Sequence, residues 1–126
     1  MNIDHLAVWV EDLEGMLAFY TESLGGTGGS LYENPATGLR TYFVSFGEEA
    51  RLELMSRPGL ALPAAVPCYG YAHIAFRLGS REAVDAMVAA LRRQGVAVES
   101  GPRLTGDGYY EAVVLDPERN SVELMA

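Results

Sequence analysis

Cysteine is nearly missing from this chain of 126 residues: Cys68 stands alone. One cysteine excludes an intramolecular disulfide framework and any CxxC metal site, and it reads as a small buried apolar residue. Long apolar runs are missing too, since none approaches the roughly 20 residues of a membrane-spanning helix. Asp4, His5, Glu11 and Asp12 interrupt the N-terminal stretch. It therefore lacks the basic-then-apolar layout of a signal peptide, and the expected location is cytoplasmic. Basic residues are scarce, nine against 17 acidic ones for a net charge of −8. That balance argues against nucleic acid and against an anionic membrane surface as partners. A small anionic substrate stays compatible, because a few local arginines overrule the global field.

What the chain does have is an apolar share of 49%, enough for one globular domain with a hydrophobic core, and an internal repeat. His5-Leu6-Ala7-Val8-Trp9-Val10 aligns with His73-Ile74-Ala75-Phe76-Arg77-Leu78 at an offset of 68. Asp12 and Ser80 share that offset, each placed to cap a helix. Leu13, Leu17, Tyr20 and Leu24 follow the first at near-helical spacing, closed by Gly25-Gly26; Val84, Met87, Val88 and Leu91 follow the second, closed by Gly95. Arg51 to Ser56 then matches Ser121 to Ala126 at an offset of 70. Thr41 to Phe46 and Tyr110 to Leu115 read as the strands before them, with turns at Gly47-Glu48-Glu49 and Asp116-Pro117-Glu118. Each half thus reads as strand, helix, then two or three strands. Between them lies a connector, residues 57–69, carrying Pro58, Pro63 and Pro67. The expected fold is α+β: two βαβββ modules, 1–56 and 70–126, whose strands form a curved mixed half-barrel with the helices outside.

The only two histidines, His5 and His73, open the first strand of each module, and Glu53 and Glu123 occupy matching places in the last. His5 shares a strand face with Ile3 and Ala7, and His73 with Ala75. Glu53 and Glu123 each sit between apolar neighbours. A carboxylate buried in such a strand costs several kcal/mol unless something compensates its charge, and a metal ion does so. Two imidazoles and two carboxylates suit Ni²⁺, Zn²⁺, Co²⁺, Fe²⁺ or Mn²⁺ rather than the all-oxygen sites of Ca²⁺ and Mg²⁺. Taken singly, a histidine on an apolar strand is more often a core or surface residue, and Glu53 could face solvent and pair with Arg51. The coincidence of two pairs at repeat positions is what favours a metal set.

His5-Leu6-Ala7-Val8-Trp9-Val10-Glu11-Asp12-Leu13, with Phe19-Tyr20 and Leu24-Gly25, resembles the start of glyoxalase and bleomycin-resistance-type domains. Tyr71-Ala72-His73-Ile74-Ala75-Phe76 is similar to their second-module start. The ending is similar too: Gly106-Asp107-Gly108-Tyr109-Tyr110-Glu111, then Leu115 through Asn120 to Glu123-Leu124. The resemblance covers essentially the whole chain and is closest to glyoxalase I. It implies one divalent ion, Ni²⁺ or Zn²⁺ before the others, held by His5, Glu53, His73 and Glu123. Extradiol dioxygenases and fosfomycin-resistance enzymes use two histidines and one glutamate, methylmalonyl-CoA epimerase has glutamine where Glu53 stands, and bleomycin-binding relatives lack the metal set. Two departures from glyoxalase I bear on the thiol. Its glutathione-holding arginine, four residues after the first ligand, is replaced by Trp9. Its asparagine four residues after the second is replaced by Arg57.

The resemblance further implies enolate chemistry on a hemithioacetal or related vicinal-oxygen substrate, with Glu123 as the base and Glu53 serving the opposite face. Arg57 and Arg40 are candidates for an anionic substrate group, and Trp9, which shares the His5 face by parity, and Tyr110 for the pocket. Tyr109 and the Gly106-Asp107-Gly108 turn fit a pocket rim or an ordinary hairpin equally well. Arg77 and Arg103 read as solvating residues. A homodimer is implied, in which His5 and Glu53 meet the partner's His73 and Glu123; a site formed within one chain is the alternative that the sequence leaves open. Two other classes stay open: a metal-free module that sequesters a flat hydrophobic ligand, and, more weakly, a dioxygenase or epimerase.

Overall fold

A computed structural model describes residues 4–48, 50–61, 71–106 and 108–126. Ile3, Glu49, Pro63, Pro67, Cys68 and Asp107 lie outside them, so the expectations placed on those residues, and on most of the connector, are not addressed. The chain divides into two compact units, Met1–Cys68 and Tyr69–Ala126. Each builds its own mixed sheet, with strand order β1-β5-β4-β2 in the first and β6-β9-β8-β7 in the second. The fold class is α+β, as expected.

In the first unit β1 (His5–Trp9) lies parallel to β5 (Arg51–Ser56), and β5 runs antiparallel to β4 (Leu39–Ser45). The Asp12 side chain caps helix α1 (Leu13–Ala18) by accepting from the Gly15 N–H at 3.0 Å, a contact of the kind that contributes about 1 kcal/mol. Helix α1 lays Leu13 and Met16 onto the sheet, where Val44, Leu52 and Leu54 are buried with them. Leu52 and Leu54 alternate with Arg51, Glu53 and Met55, so one sheet face is core and the other carries the polar residues.

The second unit repeats this plan. β6 (His73–Arg77) runs parallel to β9 (Ser121–Met125), which pairs antiparallel with β8 (Tyr110–Leu115), and β8 with β7 (Val98–Leu104). The Ser80 hydroxyl caps helix α2 (Arg81–Arg93) at 3.1 Å from the Ala83 N–H. Glu82 in its first turn and Arg92 and Arg93 in its last oppose the helix dipole. Val84, Val88 and Leu91 meet Ala112, Val114, Val122 and Leu124, all buried. Gly101 permits the β7–β8 approach, since a Cβ there would stand 2.6 Å from the Glu111 carbonyl oxygen.

Two details differ from the sequence reading. The first unit has four strands after its helix rather than two or three. A glycine-rich stretch splits one strand into β2 (Thr27–Gly28) and β3 (Tyr32–Asn34), both paired with β4. Its backbone stays tethered at the break, where the Gly29 N–H donates to the Phe43 carbonyl at 2.8 Å. The first helix also does not stay α-helical to Leu24. It widens into a π-helical turn at Phe19–Ser23, which buries Phe19 and Tyr20.

Candidate metal centre

The strand register builds the same pair in both units. Ala7 faces Glu53 across β1 and β5, and Ala75 faces Glu123 across β6 and β9. Each alanine leaves space on the face away from the helix, into which the histidine two residues earlier turns. His5 Nε2 stands 3.7 Å from Glu53 Oε2, and His73 Nε2 stands 3.3 Å from Glu123 Oε2. The carboxylates are each 15% exposed while the imidazoles are 41% and 47% exposed, so each glutamate lies deeper than its histidine.

No arginine pairs with either glutamate among the described residues. Arg51, the partner that Glu53 would have under the alternative to a metal set, donates to Asp4 Oδ2 at 2.6 Å. The donor set and spacing fit a metal: two ligand atoms about 2.0–2.2 Å from one ion stand about 2.8–3.8 Å apart for angles between 90° and 120°. The His73–Glu123 separation falls inside that range and the His5–Glu53 separation at its outer edge. Among the described residues no three His, Cys, Asp or Glu side chains are grouped around one metal position. Each unit, taken by itself, brings one histidine and one glutamate together, half of the ligand set expected from the sequence.

The other expected site residues separate by face. Trp9 is on the His5 face of β1, opposite Met55, and 47% exposed. Glu53 lies one pleat step from Met55, about 7 Å along the strand. The Arg57 guanidinium lies 5.1 Å from the Trp9 ring centroid and has no carboxylate partner among the described residues. Arg40 and Tyr110 are on the helix side, away from the two histidine–glutamate pairs. Arg40 pairs with Glu14 of α1 at 2.8 Å, and the Tyr110 hydroxyl donates to Asp85 of α2 at 2.7 Å. Arg77 donates to the Ala126 carbonyl at 2.8 Å, and Arg103 pairs with Glu111 at 3.2 Å. Tyr109 closes a hairpin tip with Thr105.

Three residues around His5 were missed from sequence. Asp4 Oδ2 accepts from His5 Nδ1 at 2.8 Å. The Phe43 ring meets the imidazole edge-on at 5.4 Å, and the Arg51 guanidinium lies 4.4 Å from the Phe43 ring centroid. The hydrogen bond from His5, followed by that from Arg51, holds the Asp4 carboxyl below its ordinary value of 3.8. Asp4 adjoins His5 in the chain, and that adjacency was the available signal.

The family model described as Glyoxalase/Bleomycin resistance protein/Dioxygenase superfamily matches residues 2–124. YqjT, an uncharacterised protein of Bacillus subtilis, is 31% identical over 97% of this chain and 96% of its own. The trypanothione-dependent glyoxalase I of Leishmania major is similar in structure, with TM-score 0.80 and 26% identity over 99% of this chain and 86% of its own. A glyoxalase family protein from Enterococcus faecalis shares the fold at TM-score 0.83 and 22% identity, covering 99% of this chain and 97% of its own. A register that sets the same histidine–glutamate pair in both units, and a family match running nearly end to end, have one conclusion: the chain belongs to the glyoxalase/bleomycin resistance protein/dioxygenase superfamily.

Proposed function

We propose that this protein is a metal-dependent lyase or isomerase of the glyoxalase I type, acting on a hemithioacetal or a related substrate with vicinal oxygens. The observation that carries this reading is the repeated pair, one imidazole Nε2 against one sunken carboxylate in each unit. His5, Glu53, His73 and Glu123 would hold one divalent ion, Ni²⁺ or Zn²⁺ ahead of Co²⁺, Fe²⁺ and Mn²⁺. When bound, the ion supplies Lewis-acid stabilisation of charge developing on the substrate oxygens.

The chain's own groups do the rest. Glu123 takes the proton from the carbon bearing sulfur and hydroxyl and returns it to the neighbouring carbonyl carbon, while the hydroxyl proton passes to the former carbonyl oxygen. A hemithioacetal thereby becomes the thioester of a 2-hydroxy acid, with no atom gained or lost. Glu53 serves the opposite face. Trp9 offers a flat apolar surface and Arg57 a charge with no carboxylate partner among the described residues, a combination suited to an anionic substrate other than a glutathione adduct. The working form is a homodimer.

Metal analysis of untagged protein tests this reading. About one transition ion per site is expected, lost in His73→Ala, followed by turnover of thiol–dicarbonyl adducts. A chain that holds no ion and takes none up on reconstitution overturns it. The exposed Trp9 and its arginine then favour a resistance-type ligand-binding module.

A further inference from the structure

The two histidine–glutamate pairs match in their residues and differ in what surrounds them. Around His5 the contacts close into a circuit. Asp4 accepts from His5 Nδ1 at 2.8 Å and, at the same oxygen, from Arg51 at 2.6 Å. Arg51 lies over Phe43, and Phe43 meets the imidazole edge-on. The backbone fastens this circuit to the sheet, because the Arg51 N–H donates to the Asp4 carbonyl at 3.0 Å. A single exposed ion pair holds a side chain loosely; a closed circuit anchored on two paired strands fixes a ring orientation.

Apart from His5, none of its members is repeated. By the offsets of 68 and 70 that relate the units, Asp4 corresponds to Ala72, Phe43 to Val113 and Arg51 to Ser121. The sheet register agrees, placing Val113 opposite Glu123 as Phe43 is opposite Glu53, and Ser121 opposite His73 as Arg51 is opposite His5.

The consequence is a difference in tautomer. An ionised carboxylate only accepts, so the Nδ1 that faces Asp4 carries the proton and Nε2 keeps its lone pair. Glu53, at 3.7 Å, is beyond hydrogen-bond reach of that Nε2. At His73 no carboxylate meets Nδ1 among the described residues, and the one facing the ring, Glu123 at 3.3 Å from Nε2, makes no hydrogen bond to it but through its charge favours the proton on that nitrogen. We infer that Asp4, Arg51 and Phe43 are positioning residues that preset His5 as a ligand, with its Nε2 lone pair aimed at Glu53, whereas His73 must shift its proton before the same nitrogen can bind a metal. This inference rests on the proposed metal function, and its first readout needs no metal.

The test is nitrogen-15 NMR of the two histidines in metal-free, full-length protein at about pH 8.5, above the ordinary histidine range. His5 is expected as the Nδ1–H tautomer and His73 as the Nε2–H tautomer. Asp4→Ala should shift His5 toward the His73 pattern, and Asp4→Asn, which keeps an acceptor oxygen, should restore it. Arg51→Ser serves as a second loosening variant should Asp4→Ala fold poorly. Zn²⁺ affinity should fall about 10- to 100-fold in Asp4→Ala. Identical tautomers at the two histidines, or an unchanged His5 in both loosened variants, overturns the inference even if metal binds. Distinct tautomers in a protein that takes up no Zn²⁺ uphold the preset ring and count against the metal function alone.

Discussion

Nε2 of His73 faces Oε2 of Glu123 at 3.3 Å, across the small Ala75 that the strand register places opposite the glutamate. A base in that position should matter more to turnover than to holding the ion. Glu123→Gln is therefore expected to lower kcat by about 10²–10⁴-fold while keeping most of the metal. Kinetics and metal content measured on one preparation check this, and a variant that keeps full kcat removes Glu123 from the role of base.

Trp9 is the only tryptophan in the chain, so its fluorescence reports directly on the Arg57 neighbourhood. Titrating metal-free protein with 3-phenylpropionate should change that signal, and the corresponding neutral amide should bind more weakly. Arg57→Gln is expected to weaken carboxylate binding by about tenfold, the low end for a charge-assisted hydrogen bond because Arg57 is exposed. Equal responses to acid and amide would remove Arg57 from anion recognition.

Two tyrosines tie the helices to their sheets through phenol–carboxylate hydrogen bonds, Tyr42 to Glu14 and Tyr110 to Asp85. Partial burial, then the charge of Glu14, raises Tyr42 above its ordinary value of 10.0. For Tyr110 the bond to Asp85 comes first and burial second. A raised folded-state value means that the stabilisation is complete below pH 10.0 and lost as pH climbs through the shifted value. Absorbance titration should show late-ionising phenols above 10.0, one vanishing in Tyr42→Phe and one in Tyr110→Phe. A titration unchanged by both substitutions would contradict this.

Leu54 is fully buried beneath helix α1, and Leu124 holds the equivalent place in the second unit at 1% exposure. Leu54→Ala should cost about 2–5 kcal/mol through lost burial and the cavity left behind, read by denaturant unfolding. A loss below 1 kcal/mol, roughly that of a surface substitution, would show that this core is not packed as described.

The repeat was legible because it is written in periods: alternation along His5–Trp9 and His73–Arg77, and helical spacing after Asp12 and Ser80. Parity puts His5 and Ala7 on one face of their strand, and it takes the parallel register, with Ala7 opposite Glu53, to bring the glutamate to that face. Arg40 and Tyr110 were chosen for their chemistry, and strand parity puts them on the helix side, where Glu14 and Asp85 engage them. The break between β2 and β3 carries no alternation to read, because glycines supply no face. The π-helical turn at Phe19–Ser23 is invisible to a spacing of apolar residues that suits either helix. A pairing of Arg51 with Glu53 along their own strand was the alternative to the metal set, and the parallel pairing brings Asp4 to Arg51 from the neighbouring strand instead.

Because each unit owns its strand pair, capped helix and core, scaffold and chemistry are separable under mutation. His5 and His73 are exposed and belong to no buried core, so exchanging either alters the proposed ligand set and leaves the side chains that hold the unit together in place. A scaffold built on this plan can vary the residues of its polar sheet face without first rebuilding its architecture. Such evolvability suits a superfamily whose description joins glyoxalases, dioxygenases and resistance proteins.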